Sequence, residues 1–130
     1  GAIVVLPPTA PLRSVEDVNG AINMFCYGDC DGVVCGVEAN RNPLFNMVTI
    51  DADNMCSLAM RTSEKITRRQ DAPIFYDLTT VCYVMKKEYV KNKNYLFDGN
   101  IKLYLVPPER AIDIDTPLDF SIAELMAEFI

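Results

Sequence analysis

The first hydrophobic positions of the chain alternate between strand-like runs and a one-sided helical stripe. Residues 2–6 (AIVVL) form a continuous, mostly β-branched run, typical of a strand covered on both faces in a parallel sheet. Ser14 followed by Asp17 predicts a capping box at the start of a helix. Residues 15–25 place their apolar side chains on one helical face, and residues 32–39 (GVVCGVEA) predict the next buried strand. A strand, a helix and a strand with short connections make a βαβ unit, in which the two strands pair in parallel through a right-handed crossover.

The middle of the chain breaks this alternation. Residues 44–51 and 56–61 flank the turn signal ADN and predict a β-hairpin. Two later apolar runs, residues 80–85 (TVCYVM) and 101–106 (IKLYLV), predict two further strands.

The last helix has the clearest start. Thr116 is a good N-cap, Pro117 suits the first helical position, and Asp119 completes a capping box. Five apolar residues then recur at helical spacing and predict one stripe that faces the core: Leu118, Ile122, Leu125, Met126 and Phe129. We therefore expect one α/β domain over residues 1–130, with a mostly parallel sheet and a protruding hairpin at about residues 44–71.

Composition narrows the class of function. The chain has 130 residues and a net charge of −6, and its only basic run resembles a solvated helix end, which argues against nucleic-acid binding. No apolar stretch reaches the length that crosses a bilayer, and no secretory signal is apparent, so we expect a cytoplasmic protein without membrane contact. Five irregularly spaced cysteines and no histidine argue against a zinc site and favour reduced thiols.

One pair of acidic residues carries candidate chemistry. Side chains alternate in an extended segment, so Asp113 and Asp115 point to one side while Ile112 and Ile114 point into the core. Two like charges so placed repel unless a cation lies between them. Mg²⁺ typically takes one or two protein carboxylates and fills its other positions with water and substrate phosphates. The pattern alone also fits two solvated aspartates at a strand end.

Three segments, in order along nearly the whole chain, resemble the CMP-N-acylneuraminate synthetases, cytidylyltransferases that activate acidic nine-carbon sugars. They are residues 6–18 (LPPTAPLRSVEDV), 68–84 (RRQDAPIFYDLTTVCYV) and 110–124 (RAIDIDTPLDFSIAE). The resemblance implies a sheet of the nucleotide-diphospho-sugar transferase type. It also implies a transferase that couples CTP to a sialic-acid-like sugar and releases pyrophosphate, with Asp113 and Asp115 as catalytic residues that hold Mg²⁺.

The same resemblance implies sugar-binding residues. Tyr83 and Phe97 match an aromatic wall against the sugar's acyl group, and Leu96 stands where the family often has a second aromatic. Arg69 matches an arginine that the hairpin carries across a homodimer interface towards the partner's sugar. Without the resemblance, Tyr83 and Phe97 would be read as ordinary core residues and Arg69 as a solvated charge.

The chain also departs from the family pattern. Pro7 replaces a sugar-binding glutamine, and Thr79 and Thr80 replace an Asn-Gly pair, so the choice of nonulosonic acid stays open. The family's phosphate-binding loop has no counterpart, which suggests a C-terminal part that is inactive when isolated. The alternative function is a non-catalytic assembly or binding module derived from such an enzyme.

Overall fold

A computed structural model describes residues 1–61, 72–92 and 95–130, and its helices and strands follow most of the predicted ones. In chain order they are β1 (Ala2–Val5), α1 (Val15–Tyr27), β2 (Gly32–Glu38), β3 (Val48–Ile50), β4 (Cys56–Leu58), β5 (Tyr76–Lys86), α2 (Lys87–Asn92), β6 (Ile101–Leu105) and α3 (Pro117–Ala127). Short 3₁₀ turns lie at Leu96–Asp98 and Pro108–Arg110. Within these ranges no helix combines the length and the apolar character needed to cross a membrane.

The main sheet is mixed and has the strand order β1-β5-β2-β6. β1 pairs with β5 in the antiparallel direction, and β2 pairs with β6 in parallel. Hydrogen bonds from the N–H of Lys86 to the carbonyl of Asp31, and from Ala39 to Phe75, join opposite ends of β2 and β5. β2 and β5 are therefore antiparallel as well.

The expected direct pairing of the first two strands, and with it the mostly parallel sheet, is wrong. β1 and β2 do run in the same direction, but β5 lies between them and opposes both. The reason is burial: Val81, Cys82 and Val84 of β5 are almost fully buried, whereas every residue of β1 is exposed. β5 therefore takes a central place and β1 an edge, a distinction that an apolar run by itself does not encode.

α1 covers the core built on β2 and β5. The predicted capping box at Ser14 and Asp17 is confirmed, and Ala21 is fully buried against the cluster that contains Val33 and Val81. Gly20 sits in the helix interior because the ring of Tyr104 from β6 packs there: a Cβ at Gly20 would lie 2.1 Å from the Tyr104 hydroxyl oxygen. Close approach, and not flexibility, explains this helical glycine.

The described structure forms two compact units. One combines Gly1–Val37 with Leu78–Ile130, and the other is Glu38–Asp77. The second unit contains the predicted hairpin, in which β3 and β4 pair in the antiparallel direction. Its turn is closed by the carboxylate of Asp51, which accepts from the N–H groups of Asp53 and Met55, with Asn54 at a φ of 63°.

The expected core-facing stripe of α3 is wrong. The capping box of Thr116 and Asp119 is present as predicted, and the helix begins at Pro117. Leu118 is 68% exposed and Phe129 is 83% exposed, while the buried residue of the helix is the small Ala123. Periodicity identifies an apolar face, but it does not say that another part of the chain covers that face.

Candidate functional site

Asp113 is held by β5. It lies in the irregular segment between the 3₁₀ turn at Pro108–Arg110 and α3, and it is half-buried. The backbone N–H of Thr80 donates to Asp113 Oδ1 at 3.2 Å and more weakly to Oδ2 at 3.4 Å, and the Thr80 hydroxyl donates to Oδ1. β1 ends at Val5, opposite Tyr83, so Thr80 lies beyond the end of β1. Its N–H therefore binds Asp113 in this segment instead of a neighbouring strand.

Thr9 adds a second attachment on the same segment. Its hydroxyl oxygen lies 2.9 Å from that of Thr80, and its carbonyl accepts the N–H of Ile114 at 2.8 Å. A carboxylate only accepts, so the single Thr80 proton goes to Asp113 and the Thr9 hydroxyl must donate to Thr80. The side chain of Asp113 and the peptide that follows it are thus both anchored.

Asp115 is fixed by its backbone. Its N–H donates to Asp119 Oδ2 at 3.0 Å, and the N–H of Thr116 donates to the same oxygen at 3.0 Å. The hydrogen bond from Asp115 is the main cause that lowers the pKa of Asp119, followed by that of the Thr116 hydroxyl. The Asp115 side chain itself is exposed, and no residue in the described ranges donates to its carboxylate.

Asp113 and Asp115 are the two carboxylates of this segment that could bind a cation. Across residues 1–61, 72–92 and 95–130, no group of three or more histidine, cysteine or acidic side chains could hold a metal ion. Asp115 offers its carboxylate, and within the described ranges Asp113 Oδ2 accepts only the weaker contact from Thr80. Two oxygen donors leave room for water and phosphate oxygens, as Mg²⁺ requires. Ile112 and Ile114 beside them are half-buried.

The candidate sugar-binding aromatics differ in exposure. Phe97 is 61% exposed in the 3₁₀ turn, so it is not a core residue, and Leu96 beside it is half-buried. The turn is held by the Tyr89 hydroxyl, which lies 2.8 Å from the Leu96 carbonyl and accepts the N–H of Gly99. Tyr83 is half-buried on β5, and burial, with the nearby charge of Asp113, raises its pKa.

One feature was missed by the sequence analysis. Asp17 is 1% exposed, and Arg110 binds it through Nε and Nη2, both at 2.8 Å. The capping-box reading of Asp17 was correct, but it gave no reason to look for a cationic partner 93 residues away. The pair ties the start of α1 to the 3₁₀ turn three residues before Asp113.

Comparison with known proteins matches nearly the whole chain. It is 31% identical over 124 residues to the post-translational flagellin modification protein B of Campylobacter coli, covering 95% of this chain and 52% of that protein. It is 34% identical over 95 residues to the CMP-N,N'-diacetyllegionaminic acid synthase of Campylobacter jejuni, covering 72% of this chain and 39% of that protein. It is 29% identical over 118 residues to the N-acylneuraminate cytidylyltransferase of Streptococcus agalactiae, covering 90% of this chain and 28% of that protein. The chain is therefore similar, over most of its length, to part of a CMP-N,N'-diacetyllegionaminic acid synthase and part of an N-acylneuraminate cytidylyltransferase.

The chain spans about half the length of the first of these relatives and less of the other two. No protein-family model matches it. Two positions noted as departures from the family pattern now have contacts: Thr80 binds Asp113, and the Pro7 carbonyl accepts a hydrogen bond from Arg13. In the described part of the chain, the buried Nε of Arg13 has no partner. Arg69 lies outside the described residues.

Proposed function

We propose that the chain is the metal- and sugar-binding part of a cytidylyltransferase with a sheet of the nucleotide-diphospho-sugar transferase type. In the proposed reaction, the anomeric hydroxyl oxygen of a nonulosonic acid bonds to the α-phosphorus of CTP. The bond from that phosphorus to the bridging oxygen breaks, and pyrophosphate leaves with the electron pair. The observation that carries this proposal is the anchored Asp113 with an available Asp115 two residues later, in a relative of such enzymes.

Asp113 and Asp115 are the residues that would hold Mg²⁺. When bound, the ion would neutralise phosphate charge that builds up as pyrophosphate departs. The protein's own contribution is to keep two anionic groups oriented before the substrate arrives. Thr80 does this for the side chain of Asp113, and Asp119 does it for the backbone at Asp115. Such preorganisation lowers the reorganisation that the reaction requires.

The sugar would lie against the aromatic positions. The resemblance assigns Phe97, Leu96 and Tyr83 to an acyl-binding wall, and the exposure of Phe97 supports that role. Arg69 would be contributed by a second copy in a homodimer. Of the relatives compared here, one is named for diacetyllegionaminic acid and another for N-acylneuraminate, with 34% and 29% identity. We therefore take nonulosonic acids as the substrate class, with both sugars as candidates.

The test measures pyrophosphate release by the protein that the full reading frame of this chain encodes, in the presence of CTP, Mg²⁺ and each candidate sugar. Asp113→Asn and Asp115→Asn should lower kcat by about 10²–10³, the usual effect of losing one transition-state electrostatic contact. Asp29→Asn, at an exposed aspartate after α1, is the matched control and should leave kcat unchanged. Thermal melting should show that all three variants fold.

Normal turnover and unchanged Mg²⁺ dependence in both variants would refute the catalytic role of the pair. Absence of any product with every nonulosonic acid would instead favour the non-catalytic binding module. The two outcomes are separable because the first concerns the aspartates in an active protein, and the second concerns activity itself.

A further inference from the structure

We infer that Thr80 is a positioning residue for Asp113, acting with Thr9 as a two-hydroxyl relay. This inference rests on the proposed function, because it gives Asp113 the task of holding the cation. It adds a role for Thr80 and Thr9 that the family resemblance does not supply. In the sequence, Thr80 is only a departure from the family pattern that bears on the choice of sugar.

The direction of the relay follows from proton counting. Each hydroxyl has one proton, and the Asp113 carboxylate has none to give. The Thr80 hydroxyl donates its proton to Asp113 Oδ1, so its oxygen accepts a hydrogen bond from the Thr9 hydroxyl at 2.9 Å. Donation into the Thr80 oxygen polarises its O–H bond and strengthens the bond that it makes to the carboxylate.

The relay fixes the orientation of one particular group. Thr80 approaches the carboxylate from two atoms, its N–H and its hydroxyl, and both favour Oδ1. Among the described residues, Oδ2 accepts only the 3.4 Å contact from the Thr80 N–H, so it is the oxygen with capacity left for a ligand. The Thr9 carbonyl holds the next peptide through Ile114, which prevents the segment from turning.

Partners that orient a ligating side chain commonly change metal affinity by 10–100-fold when they are removed. Thr80→Val keeps the branched shape and the backbone N–H but removes the hydroxyl, whereas Thr80→Ser keeps the hydroxyl. Thr49 provides the matched control: it is also a strand threonine, but it lies in the hairpin, and its hydroxyl is 3.4 Å from that of Ser57.

The experiment is a titration of the 130-residue chain with Mn²⁺, the paramagnetic substitute for Mg²⁺, with free ion followed by electron paramagnetic resonance. We expect Thr80→Val to raise the dissociation constant about tenfold. Thr9→Val should raise it by a smaller factor, since it removes only the donor behind Thr80. Thr80→Ser and Thr49→Val should remain within about twofold of the unaltered chain, well inside the effect expected for a lost orienting partner.

Asp113→Asn tests the metal site itself, whereas Thr80→Val tests the positioning of Asp113. If it weakens Mn²⁺ binding while Thr80→Val does not, the positioning role of Thr80 is wrong and the metal site stands. If Thr80→Ser weakens binding as much as Thr80→Val, the hydroxyl is not the cause, and the inference also fails. If Asp113→Asn leaves Mn²⁺ binding unchanged, the proposed metal site itself fails, and the role of Thr80 falls with it.

Discussion

Asp17 is the most deeply buried charge in the described residues, and its environment makes the fold sensitive to acid. Burial works to raise its pKa, but the hydrogen bonds donated by Arg110 and Ser14 outweigh burial and leave the pKa below the ordinary value. The folded carboxyl therefore binds its proton less readily than the unfolded one. The resulting stabilisation is present above the unfolded pKa, about 3.9, and is lost as the pH falls through the folded pKa.

Replacing Asp17 tests this pair. Asp17→Asn keeps the size of the side chain but removes the charge that Arg110 binds, so the free energy of unfolding at pH 7 should fall by about 3 kcal/mol, the low end for a buried ion pair that loses one partner. Its stability should also decline less than that of the unaltered chain between about pH 5 and pH 3. Urea unfolding across that range measures both effects.

Lys86→Met is the control for the Asp17 experiment. The Lys86 ammonium lies 3.7 Å from Asp31 at the surface, and an exposed pair of this kind contributes no more than about 1 kcal/mol. Equal losses from Lys86→Met and Asp17→Asn would mean that burial of Asp17 adds nothing.

The five cysteine thiols fall into an exposed group and a buried group. Cys26 and Cys56 are exposed, whereas Cys30, Cys35 and Cys82 are buried. Burial, with a smaller contribution from Cys82, raises the pKa of the Cys35 thiol to about 12, so it carries almost no thiolate near pH 8. Cys82 is buried as well, and burial raises the pKa of its thiol too.

Reaction of the native chain with an aromatic disulfide at pH 8 should therefore modify two thiols quickly. The other three should react only when urea unfolds the chain. Cys26→Ser and Cys56→Ser should each remove one fast equivalent. A third fast thiol in the unaltered native protein would contradict the burial of the core cysteines.

At the scale of elements, helix caps and turns were predictable from the sequence, but which elements pack against each other was not. Both capping boxes, the hairpin and the start of α1 follow from signals within a few residues, and the structure confirms them. The insertion of β5 between β1 and β2 depends on which apolar run buries more surface, a property of the assembled sheet. The exposure of the α3 stripe likewise depends on what packs against it.

Gly20 in α1 gives a test of packing between elements. In an exposed helix, changing glycine to alanine stabilises by about 0.5–1 kcal/mol. Here the added Cβ would meet the Tyr104 ring, with ring carbons at 2.3 and 2.6 Å, so we expect Gly20→Ala to destabilise by about 1–3 kcal/mol. Urea unfolding of the single variant measures this loss.

A second substitution identifies the cause. Tyr104→Leu removes the ring, so adding Gly20→Ala on that background should be neutral or stabilising. Asn19→Ala, at an exposed neighbouring position of α1, should change stability by less than about 0.5 kcal/mol. If the glycine substitution costs the same on both backgrounds, the Tyr104 contact is not the reason for Gly20.

At the scale of the whole molecule, the candidate site could be predicted only in part. Asp113 and Asp115 were found from alternation and resemblance, because both are short-range signals. Their supports were not found: Thr80 is 33 residues from Asp113, and Arg110 is 93 residues from Asp17. Contacts of that kind exist only after the chain has folded, and no periodicity in the sequence marks them.

The same scale determines whether copies associate. The hairpin exposes the apolar side chains of Val48 and Ile50 on β3, and exposed apolar surface marks an interaction site where it forms a contiguous patch. We predict that the chain self-associates through this hairpin, so Val48→Lys and Ile50→Lys should each shift sedimentation equilibrium towards the monomer. Thr49→Lys adds the same charge at the intervening position of β3, whose side chain points to the other side of the strand, and should have a smaller effect.

α3 offers a competing surface, because Leu118 and Leu125 are also exposed. Leu125→Lys therefore completes the experiment. Dissociation by the β3 substitutions alone supports the hairpin as the interface, since a lysine placed in a desolvated apolar contact is strongly unfavourable. Dissociation by Leu125→Lys alone would move the interface to α3. A monomer at every concentration of the unaltered chain would remove the self-association prediction altogether.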